Sequence, residues 1–316
     1  MNPSEIASSI DGDASRRFPI RHVQTAVLDI AFEEHGNPDG APVILLHGFP
    51  YDPRAFDDVA PALAAHGHRV IVPYLRGYGP TRFLSTETMR SGQQAALGQD
   101  LIELMDALGI ARAALAGYDW GGRAACIVAA LWPDRARCLV TANGYNIQDI
   151  ADAVRPRSPE SELRLWYQYY MNTPRGAAGL AANRGSFCKL LWKMWSPTWG
   201  VGDEDYERTA ASFDNPDFVD VVIHSYRHRF GYVDGDPAYA PIEDALARLP
   251  TIDVPTISLC GDADGVSPPK DPDPDAKHFP VQYERRVLAG IGHNVPQEAP
   301  QAVVDALLGL MQRTDR

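Results

Sequence analysis

The sequence predicts an α/β protein: a doubly wound, mostly parallel sheet with a block of helices inserted into it. Three observations carry this. From residue 43 to 141, short apolar runs alternate with helical periodicity, the pattern of strand, crossover and parallel strand. The sheet pattern lapses from about Tyr145 to about Asp236, then resumes at residues 255–260 and near 283–288. Finally, the apolar run Ala114-Leu115-Ala116 ends in Gly117-Tyr118-Asp119-Trp120-Gly121-Gly122 and passes straight into a helical segment, so a strand, a sharp turn and a helix start meet at one carboxylate.

Taken in order, residues 1–18 are polar and aperiodic and read as a loose lead-in. Alternation between Val23 and Glu33 predicts two early strands or one bent strand, closed by the turn cluster Gly36-Asn37-Pro38-Asp39-Gly40. Val43-Ile44-Leu45-Leu46 is a continuous apolar run, as in a strand buried on both faces. It ends in His47-Gly48-Phe49-Pro50, a loop placed to aim a main-chain N–H at a reacting oxygen. Helical spacing over 54–65 leads to a strand at 69–73 and a glycine loop over 76–81. Leu97, Leu101, Leu104, Met105 and Leu108 predict a helix over 93–108, and a strand at 138–141 continues the alternation.

Residues 145–236 hold Trp166, Tyr167, Tyr169, Tyr170, Trp192, Trp195, Trp199, Tyr226 and Tyr232 without a parallel-strand pattern. They read as a helical cap between two parts of a core domain, 19–144 and 237–316. The strand at 255–260 runs into Gly261-Asp262-Ala263-Asp264-Gly265, and the next into Gly290-Ile291-Gly292-His293-Asn294; a helix over 300–311 closes the chain. Residues 267–275 form an exposed proline-rich loop.

The chemistry follows from the residue at the bend. Gly117 and Gly121 flank Asp119 at the spacing of a nucleophile elbow, where missing side chains relieve a crowded turn. A serine that attacked saturated carbon would form an ether that no active-site base could hydrolyse. A carboxylate, ionised at neutral pH, forms an ester that a histidine-activated water can cleave. The expected substrates are epoxides or alkyl halides. Read alone, Asp119 fits an ordinary helix cap and His293 a structural histidine; the order Asp119, Asp264, His293, each just past a strand end, weighs against both. The N–H groups of Phe49 and Trp120 pair as an oxyanion hole for ester hydrolysis.

Composition narrows the partners. The 316 residues carry a net charge of −12 with no basic cluster, which argues against nucleic acid or an anionic membrane and for a small, uncharged substrate. Cys126, Cys138, Cys188 and Cys260 are far apart and read as reduced core residues without metal-ligand spacing. No apolar stretch approaches the roughly 20 residues of a membrane span, and no export signal stands out, so a cytoplasmic protein without metal or cofactor is expected. A homodimer is compatible with the sequence.

Together, His47-Gly48-Phe49-Pro50, Gly117-Tyr118-Asp119-Trp120-Gly121-Gly122 and Gly292-His293 resemble the α/β-hydrolase fold, and more narrowly its epoxide hydrolase and haloalkane dehalogenase branch. The resemblance covers nearly the whole chain from about residue 17. It implies an eight-stranded sheet with a helical cap, and a hydrolase acting on ether bonds that converts an epoxide to a vicinal diol. Asp119 is then the nucleophile, His293 the base and Asp264 its acid, chosen over Asp262 by the family spacing of Gly-x-x-Asp. Two cap tyrosines, Tyr167 and Tyr226, would donate to the epoxide oxygen, with Tyr169 or Tyr170 able to replace Tyr167. His47, Pro50, Tyr170 and Arg123 count as substrate-binding candidates.

The resemblance also implies an alternative, a haloalkane or haloacid dehalogenase. Many haloalkane dehalogenases carry Asn where this chain has Phe49. Fluoroacetate dehalogenases share His-Gly-Phe-Pro but follow the nucleophile with Arg and carry His-Trp in the cap, against Trp120 and Tyr167-Gln168 here. Arg123 matches the second arginine of that family's carboxylate clamp, although pairing with a local acidic group is the plainer expectation. A ligand-binding protein that has lost turnover is a third reading.

Overall fold

The computed structural model describes residues 19–200 and 202–314, so the lead-in expected over 1–18 lies outside the described residues. Ile20–Gln24 (β1) and Leu28–Gly36 (β2) pair antiparallel, so the early alternation belongs to two strands. Pro42–Leu46 (β3), Arg69–Pro73 (β4), the two-residue Arg82–Phe83 (β5), Ala113–Gly117 (β6), Ala136–Ala142 (β7), Thr256–Gly261 (β8) and Tyr283–Leu288 (β9) complete one sheet. Eight strands lie side by side in the order β1-β2-β4-β3-β6-β7-β8-β9, and β5 is an extra ninth on β2. From β4 to β9 every pairing is parallel. Helices cover both faces of the middle strands, which is why β6 is buried at all five positions.

The helical stretch expected over 54–65 is broken. A 3-10 turn, Pro53–Phe56, precedes Val59–Ala65 (α1). Pro61 accounts for the break: in a helix continuous through Asp57 its ring would meet the Asp57 carbonyl, and it has no N–H to donate there. Gln94–Ala107 (α2) and Asp119–Leu131 (α3) pack against each other beside the sheet. In the glycine loop over 76–81, Arg76 is fully buried, pairing with Asp100 at 2.5 Å and donating to the Ser91 carbonyl at 2.8 Å, which makes it part of the framework.

Between β7 and β8 the described residues form no strand. They form Pro159–Arg164 (α4), Trp166–Asn172 (α5), Pro174–Trp195 (α6, kinked at Asn183), Asp203–Ala210 (α7), Phe218–Arg229 (α8) and Ala240–Leu246 (α9). Much of the aromatic stripe turns inward: Tyr167, Trp192, Trp195 and Tyr226 are buried. The Trp192 indole donates to the Pro50 carbonyl at 2.7 Å, tying these helices to the loop after β3. Val295–Glu298 (α10) and Pro300–Thr314 (α11) follow β9. The four cysteines are buried, and no helix among the described residues is long and apolar enough to cross a membrane.

Candidate active site

The loops after β3, β6, β7, β8 and β9 converge beyond the carboxyl ends of the strands, where open α/β sheets bind ligands. At the end of β6 the chain reverses through Tyr118, which is extended, and Asp119, which has φ 51°. A side chain in this left-handed region is strained by roughly 1–3 kcal/mol, which the surrounding packing must hold in place. Two glycines make the packing tight enough. A Cβ on Gly121 would lie 2.1 Å from the Leu46 carbonyl oxygen, and one on Gly48 would lie 2.4 Å from the Asp119 Cβ. The β3 and β6 loops therefore touch backbone to side chain.

This contact differentiates the two oxygens of Asp119. Oδ1 accepts from the Phe49 N–H at 2.8 Å and from the Trp120 N–H at 2.7 Å. Oδ2 faces Nε2 of His293 at 3.6 Å, and 16% of the side chain remains open. Burial alone would raise the Asp119 carboxyl; His293, the Phe49 N–H and the charge of Arg229 outweigh it and hold the group below its ordinary value.

His293 reaches this point from the loop after β9. Its Nδ1 lies 2.8 Å from Oδ2 of Asp264, whose Oδ1 accepts from the N–H groups of Val266 at 2.6 Å and Ser267 at 2.9 Å. Asp262 is exposed and accepts from the Gly290 N–H at 2.7 Å, a turn contact away from the imidazole. Burial disfavours the imidazolium, but Asp264 and Asp119 on its two sides push His293 up to about 10.

Tyr167 and Tyr226 are buried with ring centroids 5.6 Å apart, edge to face. Tyr226 packs against Phe49 at 5.5 Å and Trp120 at 6.1 Å, so its ring lies against the loops that carry the Phe49 and Trp120 N–H groups. Gln168 Nε2 donates to the Tyr167 hydroxyl at 2.9 Å. Burial and the charge of Asp119 raise Tyr167 to about 12; burial and the neighbouring Tyr167 raise Tyr226 well above the ordinary phenol value, so both stay protonated.

Several expected residues lie elsewhere. Tyr170 packs between Trp166 at 6.2 Å and Phe187 at 5.9 Å, held by α6 rather than turned toward Asp119. Tyr169 is partly exposed and its hydroxyl bonds to Glu162. His47 is committed to its loop: Nδ1 pairs with the Gly48 carbonyl at 3.1 Å and Nε2 accepts from the Leu75 N–H at 3.1 Å, while burial drives it down to about 4. Pro50 offers its carbonyl to Trp192. Both residues shape the loop rather than offer a polar atom to a ligand. Among the described residues Arg123 makes no ion pair. Its Nη1 donates to Oε1 of Gln148 at 2.6 Å, its Nε is buried without an acceptor, and burial together with Arg229 pushes it down to about 9.

The sequence reading missed a supporting set. Asn143, just past β7 at φ 63°, donates to Asp264 Oδ2 at 2.9 Å; its place in the row of strand ends was the one available signal. Ser196 Oγ accepts from the His293 N–H at 3.0 Å and donates to Glu298 Oε1 at 2.6 Å, and Glu298 Oε2 accepts from the Gly292 N–H at 2.7 Å. Neither residue carries a local signal. A cavity of about 630 Å³ is lined by Gln148, Gln168, Tyr169, Arg229 and Tyr232 among others. Two of its wall residues also bond residues of the site, Gln148 accepting from Arg123 and Gln168 donating to Tyr167.

Residues 41–300 match the sequence profile of the alpha/beta hydrolase fold family. An epoxide hydrolase of Caballeronia sordidicola is 35% identical over 304 residues, covering 87% of this chain and 89% of that protein. A haloalkane dehalogenase of Mycobacterium marinum is 27% identical, covering 84% and 83%. A crystal structure of a Klebsiella pneumoniae protein, provisionally assigned as an epoxide hydrolase, is 48% identical and covers 93% of this chain and 97% of that one, with a TM-score of 0.91.

Proposed function

The chain belongs to the alpha/beta hydrolase fold family, and from that premise we propose that it is an epoxide hydrolase, opening an epoxide to a vicinal diol through an ester on Asp119. The observation that carries this reading is the unequal treatment of the two Asp119 oxygens beneath two buried, protonated tyrosines. Oδ2 is the oxygen left to attack carbon. The strained ring oxygen leaves as a basic alkoxide and needs an acid, which Tyr167 or Tyr226 supplies.

Ester formation then changes the base. In the resting site His293 sits between two carboxylates that hold its proton. Once Asp119 is esterified, one of these charges is gone and the imidazole releases its proton toward the tyrosine that lost one. Neutral His293, oriented by Asp264, takes a proton from water; the water attacks Cγ of Asp119. Charge develops on Oδ1, already held by the Phe49 and Trp120 N–H groups; its collapse breaks the Cγ–Oδ2 bond, the His293 imidazolium gives its proton to the departing alkoxide, and the diol leaves. Asp119→Asn should abolish turnover, and His293→Gln should accumulate the ester, seen as a protein mass increase equal to one substrate. Full turnover in either variant removes that residue from the mechanism.

One observation favours a second reading. The indole N–H groups of Trp120 and Trp195, whose rings both pack against Phe49, are buried without acceptors, and such non-acidic donors suit a departing halide. Ion chromatography for halide beside diol analysis separates the two. The tyrosine pair favours the epoxide, since a halide leaves without an acid.

A further inference from the structure

We propose that Arg229 and Arg123 form a receiving site for a carboxylate carried by the substrate, so that the epoxide opened here belongs to an epoxy acid. The inference rests on the epoxide reading of the Asp119 site and narrows its substrate class. It replaces the uncharged substrate expected from the overall charge.

Arg229 ends α8 and lines the 630 Å³ cavity. Its guanidinium lies over the Tyr226 ring at 4.7 Å; Nε is buried, and among the described residues it has no carboxylate or hydrogen-bond acceptor. By contrast, Arg54, Arg69, Arg76, Arg90, Arg135 and Arg208 each meet a carboxylate. With 41 acidic against 29 basic residues, the chain is not short of partners. A buried guanidinium N–H without an acceptor is costly until something supplies one.

Arg123 is the second half. Among the described residues its one side-chain hydrogen bond goes to the neutral amide of Gln148, another wall residue of the cavity. Arg229 is close enough for its charge to help push Arg123 below its ordinary value. A carboxylate that meets the buried Nε of each satisfies both. The planar fork of each guanidinium matches the two oxygens of a carboxylate. The placement also solves a problem of approach, because an anionic substrate must come close to the anionic Asp119, and Arg229 already acts on Asp119 by charge.

The test pairs trans-3-phenylglycidate with styrene oxide, and the unreactive probe 3-phenylpropanoate with 3-phenylpropanamide. The intact protein is compared with Arg229→Gln and Arg229→Lys, with thermal melting as the check on folding. The unmodified protein is expected to prefer phenylglycidate about 10-fold or more in kcat/KM. Arg229→Gln should lower that preference by about 10- to 100-fold, mainly through KM, and Arg229→Lys should recover part of it. By calorimetry, 3-phenylpropanoate should bind and the amide should not, with binding lost in Arg229→Gln and not competed by inorganic phosphate. A preference and a binding constant unmoved by Arg229→Gln, equal binding of the amide, or full competition by phosphate overturns the carboxylate site. If neither epoxide is hydrolysed while 3-phenylpropanoate binding still depends on Arg229, the epoxide reading fails and the anion site stands. If styrene oxide is hydrolysed without any response to Arg229, the reverse holds.

Discussion

At Asp119 and His293, the proposed chemistry turns on where one proton sits before and after a bond forms. The imidazole lies between Asp264 at 2.8 Å and Asp119 at 3.6 Å and is pushed up to about 10. Removing one carboxylate by Asp119→Asn should bring the His293 titration back toward its ordinary value near 6.5, read by NMR of the imidazole; a value still near 10 would mean that Asp264 alone holds the proton, leaving ester formation without effect on the base. The two tyrosines allow a second prediction. Tyr226→Phe and Tyr167→Phe should each lower kcat on an epoxide by about 10²- to 10⁴-fold, and should leave any halide release comparatively intact, measured by halide and diol assays on the same preparations. The choice between Asp262 and Asp264, which sequence spacing alone supported weakly, follows in the structure from burial: Asp264 is 3% exposed against His293, whereas Asp262 is exposed.

Between elements, the site depends on how the loop after β3 is held against the cap. Asp52 in that loop is buried and accepts from the Arg54 N–H at 3.0 Å, the Thr209 hydroxyl at 3.0 Å and the Ser212 hydroxyl at 2.6 Å, the last two from the end of α7 and the turn that follows it. Asp52→Ala leaves three buried donors without an acceptor and should cost roughly 2–4 kcal/mol, measured by urea unfolding, with faster amide exchange across Asp203–Ala210. The elbow is less forgiving. A methyl at position 121 would lie 2.1 Å from the Leu46 carbonyl oxygen, so Gly121→Ala must part the β3 and β6 loops. That variant is expected to lose turnover even where circular dichroism shows folded protein. A joint this close can be seen in the Gly-x-Asp-x-Gly spacing; its partner loop cannot, because Gly48 and Asp119 meet only through sheet order.

Over the whole molecule, the same buried charges set how stability follows pH. His293 is raised on folding, so its contribution is fully present below its ordinary value of 6.5 and is lost as pH climbs through about 10. Asp119 and Asp264 are lowered despite burial, so their contribution is present above their ordinary value of 3.8 and is lost as pH falls through their folded values. Asp52, raised by burial to about 7, acts with the opposite sign and subtracts stability as pH rises from 3.8 toward 7. His47, driven down to about 4, adds stability as pH rises from 4 to 6.5, and Arg123, driven down to about 9, does so above 9. The urea midpoint should therefore fall between pH 7 and 9, and Asp52→Asn should make it rise more steeply between pH 4 and 7; a midpoint that rises between pH 7 and 9 contradicts this arrangement. What the sequence alone determined is whatever lies within a few residues along the chain: the strand runs, the elbow spacing around Asp119, the acid and histidine just past strand ends, and the change of character at Tyr145. Tertiary structure decided the rest. It packed Tyr167 beside Tyr226 and Tyr170 against Phe187, committed His47 to its own loop, and gave Arg123 the Gln148 amide as its partner. It also brought Asn143, Ser196, Glu298 and Arg229 to the site from separate stretches of chain. The physical reason is that period and turn chemistry are local properties of the backbone, whereas burial, ion pairing and hydrogen bonding belong to surfaces that exist only after distant segments have packed together.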